Sequence, residues 1–522
     1  MSGDASRDQL NMTGDELTCG DVARVARDGC RVALDAGARD QIAGCREWVE
    51  GKARAGEVIY GVTTGFGALA EVAVRPDQAA ELSLNLIRSH AVGVGAPLAE
   101  EVVRAAMLIR ANTLAKGFSG VRVQVVETLV DMLNKGVHPV IPEKGSVGAS
   151  GDLAPLSHMA LVLVGEGEAI FRGARLAGGE ALRQAGIALL TLGPKEGLAL
   201  SNGTTVTAAL AVFSLLQAEN LLRNAQIALA MSLEALQAAP GAFNPLVHAA
   251  RNHTGQQKVA ENVRALTEGS RLVGSREGKV QDAYSLRCAP QVLGPVVDLV
   301  AYLTAVVDKE INAATDNPLV FPGQAAILSG GNFHGEPLAF AMDFLRIAVA
   351  EMGSIAERRV FRILDPSLNS GLPAFLIEGS GLKNGLMTLQ YTAAALVSAN
   401  KTLCHPDSVD SIPTCANQED HVSMSCNAAL HTREVLTNVE QVVAIEMLCA
   451  AQALDFRLKG SPEPLEPGRA VMAAYNRIRS EGGSAFVASD RSLSADIDSI
   501  AGMVHDGTVV HAVEAALGRP LN

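Results

Sequence analysis

The segment Gly145-Ser-Val-Gly-Ala-Ser-Gly-Asp-Leu-Ala-Pro155 carries the least ordinary chemistry in the chain. It is glycine-rich, as phosphate-binding loops are. Yet it lacks the Lys-Ser/Thr ending of a P-loop and the GxGxxG spacing of a dinucleotide fold, and no strand-like run leads into it. What sets it apart is Ala149-Ser150-Gly151, three small residues in a row with further glycine close by. Such a backbone bends tightly enough for the Gly151 nitrogen to reach the Ala149 carbonyl carbon. Closure with loss of two waters gives 4-methylidene-imidazol-5-one (MIO), with Ser150 supplying the exocyclic methylidene. Asp152 follows directly and is placed to assist the proton transfers.

The longer stretch GSVGASGDLAPLSHMALVLVGEGEA closely resembles the MIO-dependent aromatic amino acid ammonia-lyases and aminomutases. Tyr60-Gly-Val-Thr-Thr-Gly-Phe-Gly67 resembles the tyrosine loop of that family. Further similar blocks follow in family order: Asn202-Gly-Thr, Gln281-Asp-Ala-Tyr-Ser-Leu-Arg287, Thr315-Asp-Asn-Pro318, Gly330-Gly-Asn-Phe-His-Gly335 and Asn417-Gln-Glu-Asp-His421. The resemblance runs from about residue 20 to about residue 480.

The resemblance implies elimination of ammonia from an aromatic amino acid. The β-proton of such a substrate is weakly acidic and ammonia leaves poorly. A cyclised backbone would therefore act as a built-in electrophile, with no external cofactor, set at helix N-termini whose dipoles favour negative charge. Tyr60 is implied as the base for the β-proton, which requires it to ionise well below the usual ~10. Arg287 is implied as the clamp on the substrate carboxylate, gripping it with parallel hydrogen bonds. Tyr284 and Asn202 are implied as partners of the MIO oxygen and of the substrate's carboxylate or amine, joined by Gln281. Phe333 is implied as the aromatic wall beside the substrate ring.

Two positions speak to which ring is bound. Ser89-His90 is typical of histidine-specific members, although bacterial tyrosine aminomutases share it. Glu419 stands where the other aromatic lyases and aminomutases usually carry Gln. A carboxylate accepts a hydrogen bond from an imidazole N–H and gains nothing against a phenyl ring. The run from Ser408 to His421 is histidine-type throughout, with Cys415 where Ser is more usual. The expected reaction is conversion of L-histidine to trans-urocanate, the first step of histidine breakdown. The alternatives are a tyrosine or phenylalanine ammonia-lyase, a 2,3-aminomutase, or, more distantly, a non-catalytic helical scaffold. His334, His405 and His421 have no metal-binding spacing, and no metal is expected.

These residues need rigid supports, and the sequence offers mostly helix. Of 522 residues 48% are hydrophobic and only 4% aromatic, with Ala and Leu dominant, which favours helix over β-sandwich. Amphipathic spacing predicts helix from Glu101 to Gly136, broken near Lys116–Gly120, and again over 204–239, 290–314, 337–364, 385–403 and 432–455. In the 337–364 helix, Leu338, Met342, Leu345, Val349, Met352 and Ile355 form one apolar stripe, and Phe340, Phe344 and Ile347 a second. The expected architecture is mainly α: a polar tail over 1–20, a smaller MIO-bearing domain over 21–200, and a long-helix bundle over 201–522. The family's homotetramer, with active sites shared between subunits, suits such broad apolar faces. Tyr60 and Glu419 are expected to reach a given MIO from chains other than the one that forms it.

The net charge of −13 excludes a basic stripe for nucleic acid. Eight cysteines without a CxxC pair read as free thiols in a reducing compartment. The N-terminus has no apolar signal region, and no apolar run reaches the roughly 18–20 residues needed to span a bilayer. A cytoplasmic protein with a small-molecule substrate and no membrane partner is expected.

Overall fold

The computed structural model describes residues 9–55, 57–459 and 465–521. The chain divides into two compact units, neither of them a continuous stretch. The first comprises 1–213, 304–343 and 406–430, and the second 214–303, 344–405 and 431–522. The first unit thus holds all of 21–200 together with two later segments.

Helix dominates both units. In the first, the expected 101–136 pattern resolves into Glu100–Ala115 and Val123–Lys135. Glu100 and Glu101 occupy the first turn of the former, where negative charge suits the dipole. The latter ends at Gly136, whose φ of 73° is the left-handed cap that glycine adopts freely. Residues 102–115 are all buried, so the Glu100–Ala115 helix forms the centre of this unit.

Strands are short. Val137–Pro139, Glu168–Phe171 and Ala174–Ala177 form an antiparallel sheet in that order, with Val137 opposite Phe171 and Glu168 opposite Ala177. Within the expected polar tail, residues 1–8 lie outside the described residues, and Gln9–Met12 pairs in parallel with Arg31–Leu34. That strand is tied down because Gly14 N donates to Asn112 Oδ1 at 3.0 Å and Asn11 Nδ2 to Asp35 Oδ2 at 3.0 Å.

The long helices fall where periodicity places them: Thr205–Ala235, Ala289–Glu310, Glu336–Leu364, Met387–Leu403 and Ser425–Lys459. Within the second unit, Arg359 and Glu446 form an ion pair at 2.6 Å, both fully buried, and Ser232 Oγ donates to the same carboxylate at 2.6 Å. Charge, hydroxyl and counter-charge satisfy one another there, which a buried pair requires. On the Glu336–Leu364 helix the Leu338-to-Ile355 stripe is buried, while Phe340, Phe344 and Ile347 remain exposed on the single chain. One expectation is corrected. Thr205–Ala235 and the 284–310 stretch are both long and apolar enough to cross a bilayer by length and composition. The most apolar window of the first is 78% buried inside the protein, the behaviour of a core helix rather than a lipid-facing one.

Candidate active site

The 146–152 loop is tied by backbone hydrogen bonds to three distant segments of the first unit. Met424 N donates to Val147 O at 2.8 Å, and Gly335 N to Gly148 O at 3.0 Å. Ser423 Oγ adds a second bond to Gly148 O. Asp152 N donates to Gly203 O at 2.7 Å. Each of these partners lies at or just before a helix start. The helices Leu153–Leu163, Thr205–Ala235, Glu336–Leu364 and Ser425–Lys459 all begin at this loop. Four positive helix ends therefore converge on three small residues.

The Ser150 carbonyl oxygen accepts from Asn202 Nδ2 at 2.8 Å and from Gly203 N at 3.3 Å. Gly151 has φ of 72°, and a Cβ there would lie 2.2 Å from the Gly203 carbonyl carbon and oxygen, so no other residue fits. Asp152 is fully buried. Its carboxylate accepts from Thr207 N, Thr207 Oγ1 and Ser146 Oγ at 2.7, 2.7 and 3.0 Å, but burial outweighs these bonds and pushes its pKa up.

Above the loop opens a cavity of about 930 Å³, the size of a small-molecule site. Tyr60, His90, Ala149, Ser150, Asn202, Phe333 and Glu419 all line it. Tyr60 packs edge-on against Phe66 with ring centroids 6.4 Å apart, and its Oη accepts from Gly67 N at 2.9 Å. His90 ends the Ala79–His90 helix. Its Nδ1 lies 2.9 Å from both Leu86 O and Ser89 Oγ. Ser150 Oγ donates to Glu419 Oε1 at 2.6 Å, and Thr414 Oγ1 donates to Glu419 Oε2. Glu419 is presented by a tight turn in which Cys415, Ala416 and Asn417 have φ of 49°, 53° and 67°. Three successive non-glycine residues in that region store strain, of order 1–3 kcal/mol each, which is typical of functional turns.

Gln281, Tyr284 and Arg287 belong to the second unit and do not line this cavity. Tyr284 and Arg287 sit together: the Arg287 guanidinium lies 4.7 Å from the Tyr284 ring centroid, Tyr284 is 70% exposed, and Arg287 Nε has no hydrogen-bond partner among the described residues. The expectation that Tyr60 and Glu419 come from other chains is corrected, since both line the same cavity as Ser150 of their own chain. His334 and His421, whose spacing matches no metal pattern, stack at 5.7 Å, and with Glu336 they bring three ligand atoms within 4.8 Å of one another. His334 Nε2 lies 3.3 Å from His421 O, a bond that ties the 330–336 turn to the 415–421 loop. His405 lies in the second unit.

Sequence reasoning missed several contributors. Leu82, Asn85, Leu86 and Ser89 line the cavity from one face of the Ala79–His90 helix, and their three- and four-residue spacing could have revealed them. Ser146 and Thr207, which hold Asp152, had no such signal.

Residues 17–480 match the family model described as aromatic amino acid lyase. The histidine ammonia-lyase of Symbiobacterium thermophilum is 53% identical over 507 residues, covering 97% of this chain and 98% of that protein. A solved tyrosine aminomutase from Streptomyces globisporus superposes with a TM-score of 0.92 at 38% identity, over 98% of this chain and all of that one. The histidine ammonia-lyase structure from Trypanosoma cruzi gives 0.89 at 40% identity, over 97% of this chain and 95% of that one. With the match covering most of its length, the chain belongs to the aromatic amino acid lyase family.

Proposed function

We propose that the chain eliminates ammonia from L-histidine to give trans-urocanate, using an MIO group formed from Ala149, Ser150 and Gly151. The observation that carries this reading is the paired donation of Asn202 Nδ2 and Gly203 N to Ser150 O, the atom that would become the ring carbonyl oxygen. The residues fit the group. Only glycine is tolerated at 151, and the buried Asp152 lies beside the trio to handle protons. Once formed, the group supplies an electrophilic carbon that draws electrons from the substrate.

The chain's own side chains do the rest. Tyr60 takes the β-proton from the cavity side. Asn202, through its free Oδ1, accepts from the substrate ammonium. Glu419 receives the imidazole N–H, His90 faces the ring from the same cavity, and Phe333 walls it. The helix N-termini at the loop favour charge developing on Ser150 O. Gln281, Tyr284 and Arg287 serve the cavity of another copy in a homotetramer, where Arg287 grips the substrate carboxylate. The exposed Phe340, Phe344 and Ile347 offer an apolar face for such assembly. Cysteines such as Cys45, Cys426 and Cys449 are buried free thiols, which suits a reducing cytoplasm.

The histidine specificity draws on the curated relatives, several of which carry the name histidine ammonia-lyase at 46–53% identity. Urocanate absorbance, followed with histidine, tyrosine and phenylalanine in turn, tests it. Turnover of tyrosine without histidine would overturn the substrate, and a β-amino acid without free ammonia would make the chain an aminomutase.

A further inference from the structure

Arg110 sits on the central Glu100–Ala115 helix and is fully buried. Its Nη2 donates to the carbonyls of Ala199 and Asn202, the latter at 2.7 Å. Ala199 lies near the C-terminal end of the helix Glu196–Ser201, and Asn202 is its C-cap, so a cation meets the negative end of that helix. Gly203 follows with φ of 134°, and a Cβ on it would lie 2.5 Å from Thr315 Oγ1 and 2.8 Å from Arg110 Nη1. The guanidinium is thus one bond or one contact away from both groups that donate to Ser150 O.

We infer that Arg110 is a positioning residue for the reaction, clamping the 199–203 backbone so that Asn202 Nδ2 and Gly203 N stay on the Ser150 carbonyl oxygen. The inference rests on the reading that this oxygen becomes part of the ring. Arg110 is ill-suited to a purely space-filling role. Its Nε and Nη1 have no hydrogen-bond partner among the described residues. Desolvation pushes its pKa down to about 10, partly offset by the charges of Asp316 and Asp152, so it remains a cation at neutral pH. Asp316 is itself shared with Lys195, whose Nζ lies 2.6 Å from its carboxylate. An incompletely bonded guanidinium is costly to bury. Here it gives two carbonyls one fixed anchor, which an apolar residue cannot do.

Arg104 supplies the control. It lies on the same helix, is 8% exposed, and donates to the Ala26, Val25 and Leu133 carbonyls at 2.9, 2.7 and 3.3 Å, none of them in the 146–152 or 199–203 segments. Arg110→Lys, Arg110→Gln and Arg104→Lys are made in the full-length chain. Each is measured for kcat and KM with L-histidine, for thermal melting, and for intact mass, which reports the loss of two waters without reference to turnover. Arg110→Lys should lower kcat roughly a hundredfold with KM within a few-fold, as expected when oxyanion donors are displaced. Part of its chains should stay at full sequence mass, and Arg110→Gln should be worse on both counts. Arg104→Lys should melt lower yet keep wild-type kcat per folded molecule and complete water loss. Wild-type kcat and complete water loss in Arg110→Lys would overturn the inference. So would an equal kcat loss in Arg104→Lys, or failure of both Arg110 variants to fold, which would make the residue's role one of stability. A wild-type chain at full sequence mass would instead overturn the ring itself.

Discussion

Asn202 divides its carboxamide between two tasks: Nδ2 donates to Ser150 O at 2.8 Å, while Oδ1 is buried without a partner. A buried amide oxygen without a partner costs about 1–3 kcal/mol. Asn202→Ala removes both functions. Its kcat should fall by about 10²–10³-fold, the usual cost of one oxyanion donor, and its KM for L-histidine should rise. Steady-state kinetics over a range of histidine concentrations checks both.

Gly151→Ala should not cyclise. Its Cβ would overlap the Gly203 carbonyl at 2.2 Å, at a φ of 72° that alanine resists. Intact mass should show the full sequence mass plus one methylene, and urocanate formation should vanish.

Glu419→Gln should lose selectivity rather than fold. Glu419 is part-exposed and anchored by Thr414 Oγ1, which a Gln side-chain oxygen can still accept from. With the carboxylate gone, kcat/KM for histidine should drop about 10²-fold, while that for phenylalanine should hold or rise. Competition assays with both substrates read the ratio directly. A uniform loss across substrates would argue against ring recognition by this carboxylate.

Glu234 carries a pH dependence of stability. Its carboxyl is fully buried, and desolvation raises its pKa to about 8 despite bonds from Gly468 N and Ser270. A carboxyl whose folded pKa lies above its unfolded value stabilises the fold fully below pH ~4.5 and loses that contribution as pH climbs through about 8. The shift corresponds to a few kcal/mol. Glu234→Gln should therefore raise Tm more at pH 8.5 than at pH 5, a comparison that melting curves at the two pH values settle.

Much of this was legible in the sequence. The stripe from Leu338 to Ile355 gave the Glu336–Leu364 helix to within a residue, because a helix buried on one face must repeat at 3.6. The residues that meet in the cavity were legible because unusual chemistry narrows residue choice, as at Ser150 and Glu419. What stayed hidden were partners chosen by tertiary approach alone. Arg110 reads as one more basic residue on an amphipathic helix until the Ala199 and Asn202 carbonyls are seen against it. His334, Glu336 and His421 converge from segments some 85 residues apart, a distance that local spacing rules cannot bridge. The Gln9–Met12 strand alternates two polar with two apolar residues over only four positions, too short a pattern to read until its partner Arg31–Leu34 is seen.

The ties on the 146–152 loop also set an order of events during synthesis. Gly148 is held by Gly335 N and by Ser423 Oγ, the second of them 275 residues further along the chain. The bend around Ser150 therefore cannot be completed while those segments are still within the ribosome. If the trio cyclises as proposed, it would do so only after Ser423 has emerged, and a product truncated before the Ser425–Lys459 helix would keep its Ala-Ser-Gly uncyclised. Under the proposed function, reactivity would be reserved for chains that have finished folding.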